Sequence, residues 1–347
     1  MDFELVPFSE IDVDDAFFDS LKNDYPGFAE WFEKKAENGC AAYVKRPNGR
    51  ILAFLYIKDE PECEPIGDLP AVPRIKIGTL KIDGSAGNMR HGEGAIGIAL
   101  WRWATSGMDQ IYLTVYPKHE SLIGMMEGFG FRQYGMKGGE IVLVKDRRNL
   151  DLSETKHYFP LIRKSGRAKI IPIEAEYHDR MFPICGVSDV DTFEEGMPVG
   201  NGITKMYIAN PGNKIDYRIN DIAFIYRKSK ERPGINSRLT AYCVIESVVV
   251  VKVGGNPRIT EDKFFDLIGN KTVFTDEELR ALYARNNVYI IGMLYSGTLR
   301  MDGNLNYNWL HSNGLFDTHP YNIQLSIEDA EKILEEGGVD VQSAFID

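Results

Sequence analysis

Four glycines stand close together in the segment "GNMRHGEGAIGIAL", residues 87–100, between a strand-like stretch and an apolar, helix-like stretch. Glycines let backbone N–H groups approach a ligand closely, and a helix N-terminus adds partial positive charge at the same place. The segment therefore predicts a turn that cradles an anion such as a phosphate. It lacks the Gly-Lys-Ser/Thr ending of a P-loop, and no dinucleotide-binding unit with an acidic ribose ligand surrounds it.

The order of predicted elements divides the 347 residues into two domains. Residues 1–148 have the pattern of two helices, three strands, the glycine turn, and then helix, strand, helix, strand. Residues 149–169 mix charges, proline and serine without periodicity and are interpreted as a linker. Residues 170–347 are mostly strand-like, with helices predicted after the capping residues Thr275 and Ser326. The predicted fold class is α/β (α+β): a mixed sheet flanked by helices, followed by a small β-barrel domain with helices.

Composition limits the location and the partners. The net charge of −11 argues against a basic surface that wraps duplex DNA, so any nucleic-acid contact is expected to be local. No stretch approaches the roughly 20 apolar residues that span a bilayer, and the acidic N-terminus is unlike a signal peptide; a cytoplasmic protein without membrane contact is expected. The four cysteines form no CxxC pair and the six histidines no HxxxH spacing, so no metal site is predicted.

Residues 1 to about 148 resemble the GNAT acetyltransferase family. In "MRHGEG", Gly92 and Gly94 match the family's pyrophosphate loop, and Arg90 supplies a charge beside them. The preceding "LKID" resembles the strand whose backbone pairs with the pantetheine arm of the coenzyme. The resemblance implies acetyl-CoA as the cofactor, and the side chain of Glu93 is expected to face solvent. It assigns coenzyme binding to Leu80, Ile82, Arg90, His91, Gly92, Glu93, Gly94 and Ala95.

The segment "HESLIGMMEGFGF", residues 119–131, resembles a late helix of the same family. Gly130 and Phe131 match the Gly-Phe pair at its end, but Met126 stands where a tyrosine often protonates the departing thiolate. No acidic residue in "RIKIGTL" offers an obvious general base. The candidates for the general acid, on proximity in sequence, are Tyr116, His119 and Tyr134.

Residues 170–347 resemble the PUA-like superfamily, and within it the ASCH type, in "GITKMYIA", "YRINDIAFIYR" and "LTAYCVIESVVVV". The resemblance implies a site for RNA or a modified base beside the barrel. Some ASCH members hydrolyse a modified cytidine with a Lys, a Thr and a Glu, residue types that Thr204, Lys205 and Glu246 supply; binding is the preferred interpretation. Nucleic-acid binding is assigned to Lys205, Arg227, Lys228, Lys230, Arg232 and Arg238.

The linker carries basic residues beside Tyr158 and Phe159. Basic residues interleaved with aromatic rings suit the phosphates and exposed bases of single-stranded RNA. The alternative is a solvated, charged loop of the kind that many proteins have.

Together these patterns predict an acetyl-CoA-dependent N-acetyltransferase whose PUA-like domain recruits a nucleic-acid-linked acceptor: an RNA, a tRNA or an aminoacyl-tRNA amine. One alternative is an acetyltransferase for a protein or a small amine, with a structural C-terminal domain. Another is a non-catalytic RNA-binding protein with a degenerate acetyltransferase fold, which Met89 and Met126 suggest.

Overall fold

The computed structural model of the protein is a mixed α/β fold with two mixed sheets flanked by helices, as the sequence predicts. One sheet lies in the first half of the chain, from Glu4 to Asp146, and the other in the second half, from Ala168 to Leu325. The structure describes residues 3–62, 64–66, 69–164, 166–185, 197–212, 215–300, 305–316 and 323–347. Within these ranges, no helix is both long and apolar enough to cross a membrane.

The first sheet has seven strands in the order β1-β2-β3-β4-β5-β7-β6. Only β4 and β5 run parallel; the other neighbours are antiparallel. Its strands are β1 Glu4–Pro7, β2 Ala41–Lys45, β3 Ala53–Glu60, β4 Arg74–Ile82, β5 Gln110–Val115, β6 Arg132–Lys137 and β7 Glu140–Asp146. Its helices are α1 Asp19–Asp24, α2 Phe28–Glu37, α3 His91–Thr105 and α4 Glu120–Gly128. The hairpin predicted between β2 and β3 is confirmed, with Asn48 and Gly49 at positive φ in its turn.

Helix α3 is buried on nearly every side, because its sequence is apolar all round. Ala95, Ala99, Leu100 and Trp103 have no exposed surface and share one core with residues of the central strands. The same core contains Ile203 from the second half of the chain. A Cβ at Gly97 would lie 3.0 Å from the Ile203 side chain, so the glycine permits this close approach.

Helix α4 ends in a turn that explains the Gly-Phe pair of the sequence. The N–H of Gly130 bonds to the carbonyl of Glu127, and the N–H of Phe131 bonds to that of Met126. These are the two bonds of a Schellman motif, which needs a left-handed residue. Gly130 has a φ of 81°, and a Cβ there would lie 2.9 Å from the Cα of His157. A glycine is therefore required at this position.

The second sheet joins six strands in the order β10-β14-β12-β11-β9-β15, and β13 pairs with β12. Its strands are β9 Ala168–Glu174, β10 Thr204–Ala209, β11 Ile222–Lys228, β12 Arg238–Val253, β13 Asn256–Pro257, β14 Val288–Thr298 and β15 Gln324–Leu325. A separate parallel pair consists of β8 Ile162–Arg163 and β16 Phe345–Ile346. The helices are α5 Ala175–Met181, α6 Pro198–Asn201, α7 Pro233–Asn236, α8 Glu261–Ile268, α9 Asp276–Tyr283, α10 Tyr307–Ser312, α11 Ile327–Glu336 and α12 Val341–Ala344.

This second sheet is open, whereas the sequence suggested a closed barrel. A barrel closes only when its first and last strands pair, and in the described part of the chain β10 does not pair with β15. Three register shifts along β12 bend the sheet, as β-bulges do. Strand β15, at the β9 edge of the sheet, is only two residues long and pairs with β9.

Helices α9 and α11 begin at the predicted capping residues. The hydroxyls of Thr275 and Ser326 accept hydrogen bonds from the N–H groups of Glu278 and Asp329, at 3.3 and 3.1 Å. The carboxylates of Glu278 and Asp329 accept in return from the N–H groups of the capping residues, at 2.8 and 3.0 Å. Both capping boxes are confirmed, and they satisfy donors that a helix start otherwise leaves unpaired.

Residues 149–169, predicted to be a linker, pack against both halves of the chain where the structure describes them. Tyr158 and Phe159 are each 1% exposed, so their rings are not available to stack on bases. The buried amine of Lys145 donates to the carbonyls of Phe129 and Phe159, at 2.7 Å each. Strand β8, in the same segment, pairs with the C-terminal strand β16.

Candidate functional site

The two parallel strands of the first sheet separate part of the way along their length. Strands β4 and β5 pair only from Arg74↔Gln110 to Lys76↔Tyr112. Strand β4 then continues to Ile82 and β5 to Val115 with no further pairing between them. The separated strands leave backbone donors and acceptors of β4 facing a gap, and such groups can pair with an extended ligand.

A β-bulge marks the point where β4 turns away from β5. The pairing of β3 with β4 shifts register between Tyr56 and Ile57, opposite Gly78. A Cβ at Gly78 would lie 2.8 Å from Cδ1 of Tyr56, so a larger residue would displace that ring. Bulges increase local twist, which accounts for the divergence of the two strands here.

The N-terminus of helix α3 adjoins this gap. The first backbone hydrogen bond of the helix runs from the N–H of Gly94 to the carbonyl of Arg90, at 3.2 Å. The N–H groups of His91, Gly92 and Glu93 consequently have no partner inside the helix. A Cβ at Gly92 would lie 3.4 Å from Met125 and 3.7 Å from Ile82, so the helix start, β4 and α4 meet at this glycine.

The gap, the helix start and the loop between α1 and α2 enclose a cleft of about 970 Å³. Leu80, Ile82 and Gly92 line one part of it. Its other lining residues include Tyr25, Lys76, Leu113, His119 and Glu140. A volume of this size suits a small-molecule ligand.

The structure places the eight residues predicted for coenzyme binding in three environments. Leu80, Ile82 and Gly92 line the cleft. Gly94 and Ala95 are buried in the body of α3. Arg90 and Glu93 direct their side chains to the second half of the chain, and His91 is buried.

Glu93 does not face solvent, contrary to the expectation from the sequence. Its carboxylate accepts from the N–H and the hydroxyl of Thr204, at 2.8 and 2.6 Å, and from Nε of Arg90, at 3.0 Å. Burial by itself would raise the pKa of Glu93, but the Arg90 charge and the Thr204 hydrogen bonds outweigh it and hold the pKa below its ordinary value. Glu93 therefore carries a negative charge that Arg90 neutralises and that Thr204, from the second half, stabilises by hydrogen bonds.

Two further contacts fix the glycine turn against the second half. The side-chain amide of Asn201 donates to the carbonyl of Met89 at 3.0 Å, and that of Asn270 donates to the carbonyl of Asn88 at 2.6 Å. A Cβ at Gly202 would collide with the Arg90 guanidinium, so only a glycine leaves room for it. The conformation of the turn thus depends on residues more than 100 positions away in the sequence.

His91 cannot supply positive charge to this site at neutral pH. The residue is 2% exposed, and neither ring nitrogen has a hydrogen-bond partner among the described residues. Burial, helped by the charge of Lys45, lowers its pKa to about 4. The groups that this helix start offers to an anion are therefore its backbone N–H groups.

The three predicted general acids occupy different places. His119 lines the cleft, and its Nε2 lies 3.3 Å from a carboxylate oxygen of Asp24. Tyr116 is not a lining residue of the cleft, and its ring packs against that of Tyr25 with the centroids 5.2 Å apart. Tyr134 is on the edge strand β6, 45% exposed, and is not a lining residue of the cleft. Only His119 of the three borders the cleft directly.

Sequence reasoning missed the polar residues at the far part of the cleft. The hydroxyl of Tyr25 donates to the carboxylate of Glu140 at 2.8 Å, although 115 residues separate them. Lys76 is close enough for its charge to interact with Glu140. The Tyr-Pro-Gly sequence at 25–27 was the available signal, since a residue before proline is held extended and a glycine follows at positive φ.

Most of the six residues predicted to bind nucleic acid are engaged within the protein. Arg227 is 1% exposed and donates twice to the carboxylate of Asp179, at 2.8 Å each. Lys228 donates to Glu174 at 2.5 Å. Arg238 is half-buried and donates to a backbone carbonyl. Lys230 and Arg232 are exposed, in the turn after β11.

Lys205 is also unavailable to an external phosphate. It is 1% exposed, and its amine donates to the carbonyl of Val199 and lies over the rings of Phe182 and Tyr295. Burial first, and then the neighbouring Arg90 charge, lower its pKa to about 7. Glu246 is the third of the residues, with Thr204 and Lys205, whose types match the Lys, Thr and Glu named in the sequence analysis. Burial raises the pKa of its carboxyl group. Across the described ranges, no group of three or more His, Cys, Asp or Glu side chains is arranged to hold a metal ion.

Comparison with known proteins gives distant structural similarity. No protein-family model and no curated protein sequence matches the chain. A mutant of ZmASCH from Zymomonas mobilis is 12% identical, with a TM-score of 0.32, covering 48% of this chain and 94% of that one. The PaiA N-acetyltransferase from Thermoplasma acidophilum in complex with coenzyme A is 12% identical, with a TM-score of 0.30, covering 42% and 99%.

A third similar structure is a mutant of the toxin AtaT bound to the C-terminus of the antitoxin AtaR and acetyl-CoA. It is 14% identical, with a TM-score of 0.31, covering 42% of this chain and 93% of that one. Similarities with TM-scores this low assign no residue and no activity to the chain.

Proposed function

We propose that this protein is an acetyl-CoA-dependent N-acetyltransferase. The observation that carries the proposal is the separation of β4 from β5 beside the N-terminus of α3. An extended amide chain such as pantetheine can add to an open strand edge, and a pyrophosphate suits a helix start with free N–H groups. One cleft thus offers both parts of the coenzyme the groups that they need.

In this proposal the backbone of Leu80 and Ile82 pairs with the pantetheine arm. The N–H groups of His91, Gly92 and Glu93 bind the pyrophosphate. Bound acetyl-CoA supplies an activated thioester, which a neutral amine attacks. The protein accelerates this step by holding the two reactants together and by directing backbone N–H groups at the developing oxyanion.

We assign the general acid to His119, because it is the predicted candidate that borders the cleft. The Asp24 carboxylate, 3.3 Å from Nε2, orients the imidazole. A protonated imidazole can give its proton to the departing thiolate. Met126, at the position where a tyrosine was sought, is fully buried and has no proton to give.

The acceptor that we propose is an amine linked to a nucleic acid, such as an RNA, a tRNA or an aminoacyl-tRNA. In this arrangement residues 1–148 form the catalytic domain and residues 170–347 the recruiting domain. The support is the exposed basic turn that carries Lys230 and Arg232. Two exposed cations provide a local phosphate contact on a chain whose net charge is −11.

A second candidate is an acetyltransferase for a protein or a small amine, in which the second half is structural. The contacts of Thr204, Asn201 and Asn270 with the glycine turn favour it, because they give the second half a role in shaping the coenzyme cleft. The two candidates share the same chemistry and differ in the acceptor.

Radiolabelled acetyl-CoA, incubated with the purified full-length protein and a total cell extract, tests the proposal. Label that becomes acid-precipitable and is released by RNase supports the nucleic-acid-linked acceptor. Label released by protease, or found in a free small amine, supports the second candidate. If no label leaves acetyl-CoA beyond a protein-free control, the acetyltransferase proposal is wrong.

A further inference from the structure

Tyr25 and Glu140 form a hydrogen-bonded pair inside the cleft, separate from the coenzyme end. The Tyr25 hydroxyl donates to Oε1 of Glu140 at 2.8 Å, and both residues line the cleft. The ring of Tyr116 packs on that of Tyr25 with 30° between their planes. No residue of this pair was predicted from the sequence.

The fold holds both members of the pair in place. Tyr25 is the residue just after α1 and has extended backbone angles, φ −126° and ψ 90°. Gly27, in a left-handed conformation, is the residue just before α2. Glu140 is the first residue of β7, whose next residue, Ile141, pairs with Val115 at the end of β5. The pair therefore stands where β5 ends, on the far side of the gap from β4.

The surroundings of the pair favour a protonated Tyr25 phenol. Burial raises the pKa of Tyr25, and the hydrogen bond to Glu140 and its charge raise it further. Burial lowers the pKa of Lys76, and the charge of Glu60 first and then that of Glu140 partly offset this lowering. A phenol oxygen that donates its proton still has lone pairs that accept another hydrogen bond.

A second carboxylate that lines the cleft, that of Asp24, is already engaged. Asp24 accepts from the amine of Lys118 at 2.5 Å and lies 3.3 Å from Nε2 of His119. These contacts hold the pKa of Asp24 below its ordinary value, with the Lys118 hydrogen bond as the largest cause. Glu140 is therefore the better placed of the two to receive a proton through a cleft residue.

We propose that Tyr25 and Glu140 take the proton from the acceptor amine during acetyl transfer, with Tyr25 as the relay and Glu140 as the base. This inference rests on the proposed acetyltransferase function. The acceptor class that it implies is a primary amine whose N–H can donate to the Tyr25 oxygen. Tyr25 acts as a catalytic residue because it touches the reacting amine.

The proposed step balances in atoms and charge. The amine nitrogen forms a bond to the acetyl carbonyl carbon, and the carbon–sulfur bond breaks. One amine proton passes to the Tyr25 oxygen as the phenol proton passes to Glu140. The coenzyme leaves as a thiolate, which His119 or solvent protonates, and Glu140 returns its proton to solvent.

Two conservative substitutions test the relay in the full-length protein. Tyr25→Phe removes the hydroxyl and keeps the ring, and Glu140→Gln removes the charge and keeps the shape. We expect each to lower the initial rate of label transfer to cell extract about 100-fold, a typical share for acid–base catalysis. The Kd for acetyl-CoA, from calorimetry, should stay within about twofold of the wild-type value, since neither residue lies at the helix start.

The controls are Tyr43→Phe and Glu127→Gln, which change residues that do not line the cleft. Both should transfer label at the wild-type rate. A solvent deuterium isotope effect on transfer provides a readout that a structural role would not change: it should be present in the wild type and smaller in Tyr25→Phe.

The outcomes separate the relay from the function that underlies it. If Tyr25→Phe keeps the wild-type rate and isotope effect while the wild type transfers label, the relay is wrong and the acetyltransferase function stands. If both variants lose acetyl-CoA binding along with transfer, the pair shapes the cleft and the relay is wrong. If the wild type binds no acetyl-CoA and transfers no label, both proposals are wrong.

Discussion

The two sides of the N-terminus of α3 differ in how their polar groups are satisfied. Toward the cleft, the N–H groups of the first helical residues have no helical partner, and the end of β4, which pairs with β3 on one edge, does not pair with β5 on the other. Toward the second half, the Glu93 carboxylate accepts hydrogen bonds from Arg90 and from Thr204. Glu93 belongs to both sides: its N–H has no partner inside the helix, and its carboxylate accepts hydrogen bonds from Thr204 in the other half.

This difference suggests how a ligand site is kept open in a folded protein. Unpaired backbone groups are costly when water is excluded, so they persist where solvent or a ligand can reach them. The interface side satisfies its groups within the protein and thereby fixes the turn before any ligand arrives. Such preorganisation reduces the entropy lost on binding.

The largest effect on stability is expected from Glu93→Ala. The substitution leaves the Arg90 charge, 8% exposed, without its partner and removes the acceptor of Thr204. Breaking a buried ion pair in this way should lower the free energy of unfolding by about 3 kcal/mol. Denaturant titration at pH 7 measures the loss. The control is Glu277→Ala, in the exposed first turn of α9, which should change stability by less than about 0.5 kcal/mol.

The pH dependence of the same variant sharpens this prediction. The pKa of Glu93 is lowered in the folded state from its ordinary 4.5, so its stabilisation is complete above pH 4.5 and is lost as pH falls through the folded value. The difference in stability between wild type and Glu93→Ala should therefore shrink on acidification. A difference that stays constant from pH 7 down to pH 3 would show that folding does not lower the pKa of Glu93.

An intermediate effect is expected from Lys205→Met, next to the interface. The pKa of Lys205 is lowered from 10.5 to about 7, so between these values the unfolded chain binds a proton that the folded chain does not. The free energy of unfolding of the wild type should therefore rise with pH above 7, by about 2 kcal/mol relative to the variant at pH 9. Lys263→Met, on the exposed surface of α8, is the control and should follow the wild type.

The smallest effect is expected from Thr204→Val. The variant loses the hydroxyl bond to Glu93, 2.6 Å long, but keeps the backbone N–H bond. Loss of one hydrogen bond to a charged group should reduce the free energy of unfolding by about 1.5 kcal/mol. Thr204→Ser retains a hydroxyl and should keep most of the free energy of unfolding that Thr204→Val loses. Equal stability of the Val and Ser variants would mean that the hydroxyl bond contributes nothing.

Local features of the sequence predicted much of the fold. The capping residues, the β2–β3 hairpin and the glycine turn between a strand and a helix depend on residues close together in the chain, and each was found in the predicted place. Burial by tertiary contacts was less predictable. Lys205 and Arg227 have the local sequence of surface cations, yet both are buried against partners from other elements.

The candidate site shows the same division. The cleft end at Gly92 follows from the local pattern. The pairing of Tyr25 with Glu140 and of Glu93 with Thr204 spans more than 100 residues in each case, and no local periodicity encodes it. The turn of Glu93 away from solvent depends on the second half of the chain being present.

The most direct test of the account is calorimetric titration of acetyl-CoA into the wild type, Gly92→Leu and Gly124→Leu. A side chain at position 92 would crowd the cleft against Met125 and Ile82, whereas a Cβ at position 124, on an exposed face of α4, has no neighbour within 4 Å. We predict that the wild type and Gly124→Leu bind acetyl-CoA alike and that Gly92→Leu binds at least about tenfold more weakly. Absence of binding to the wild type, or equal binding by Gly92→Leu, would contradict the account and favour a non-catalytic protein.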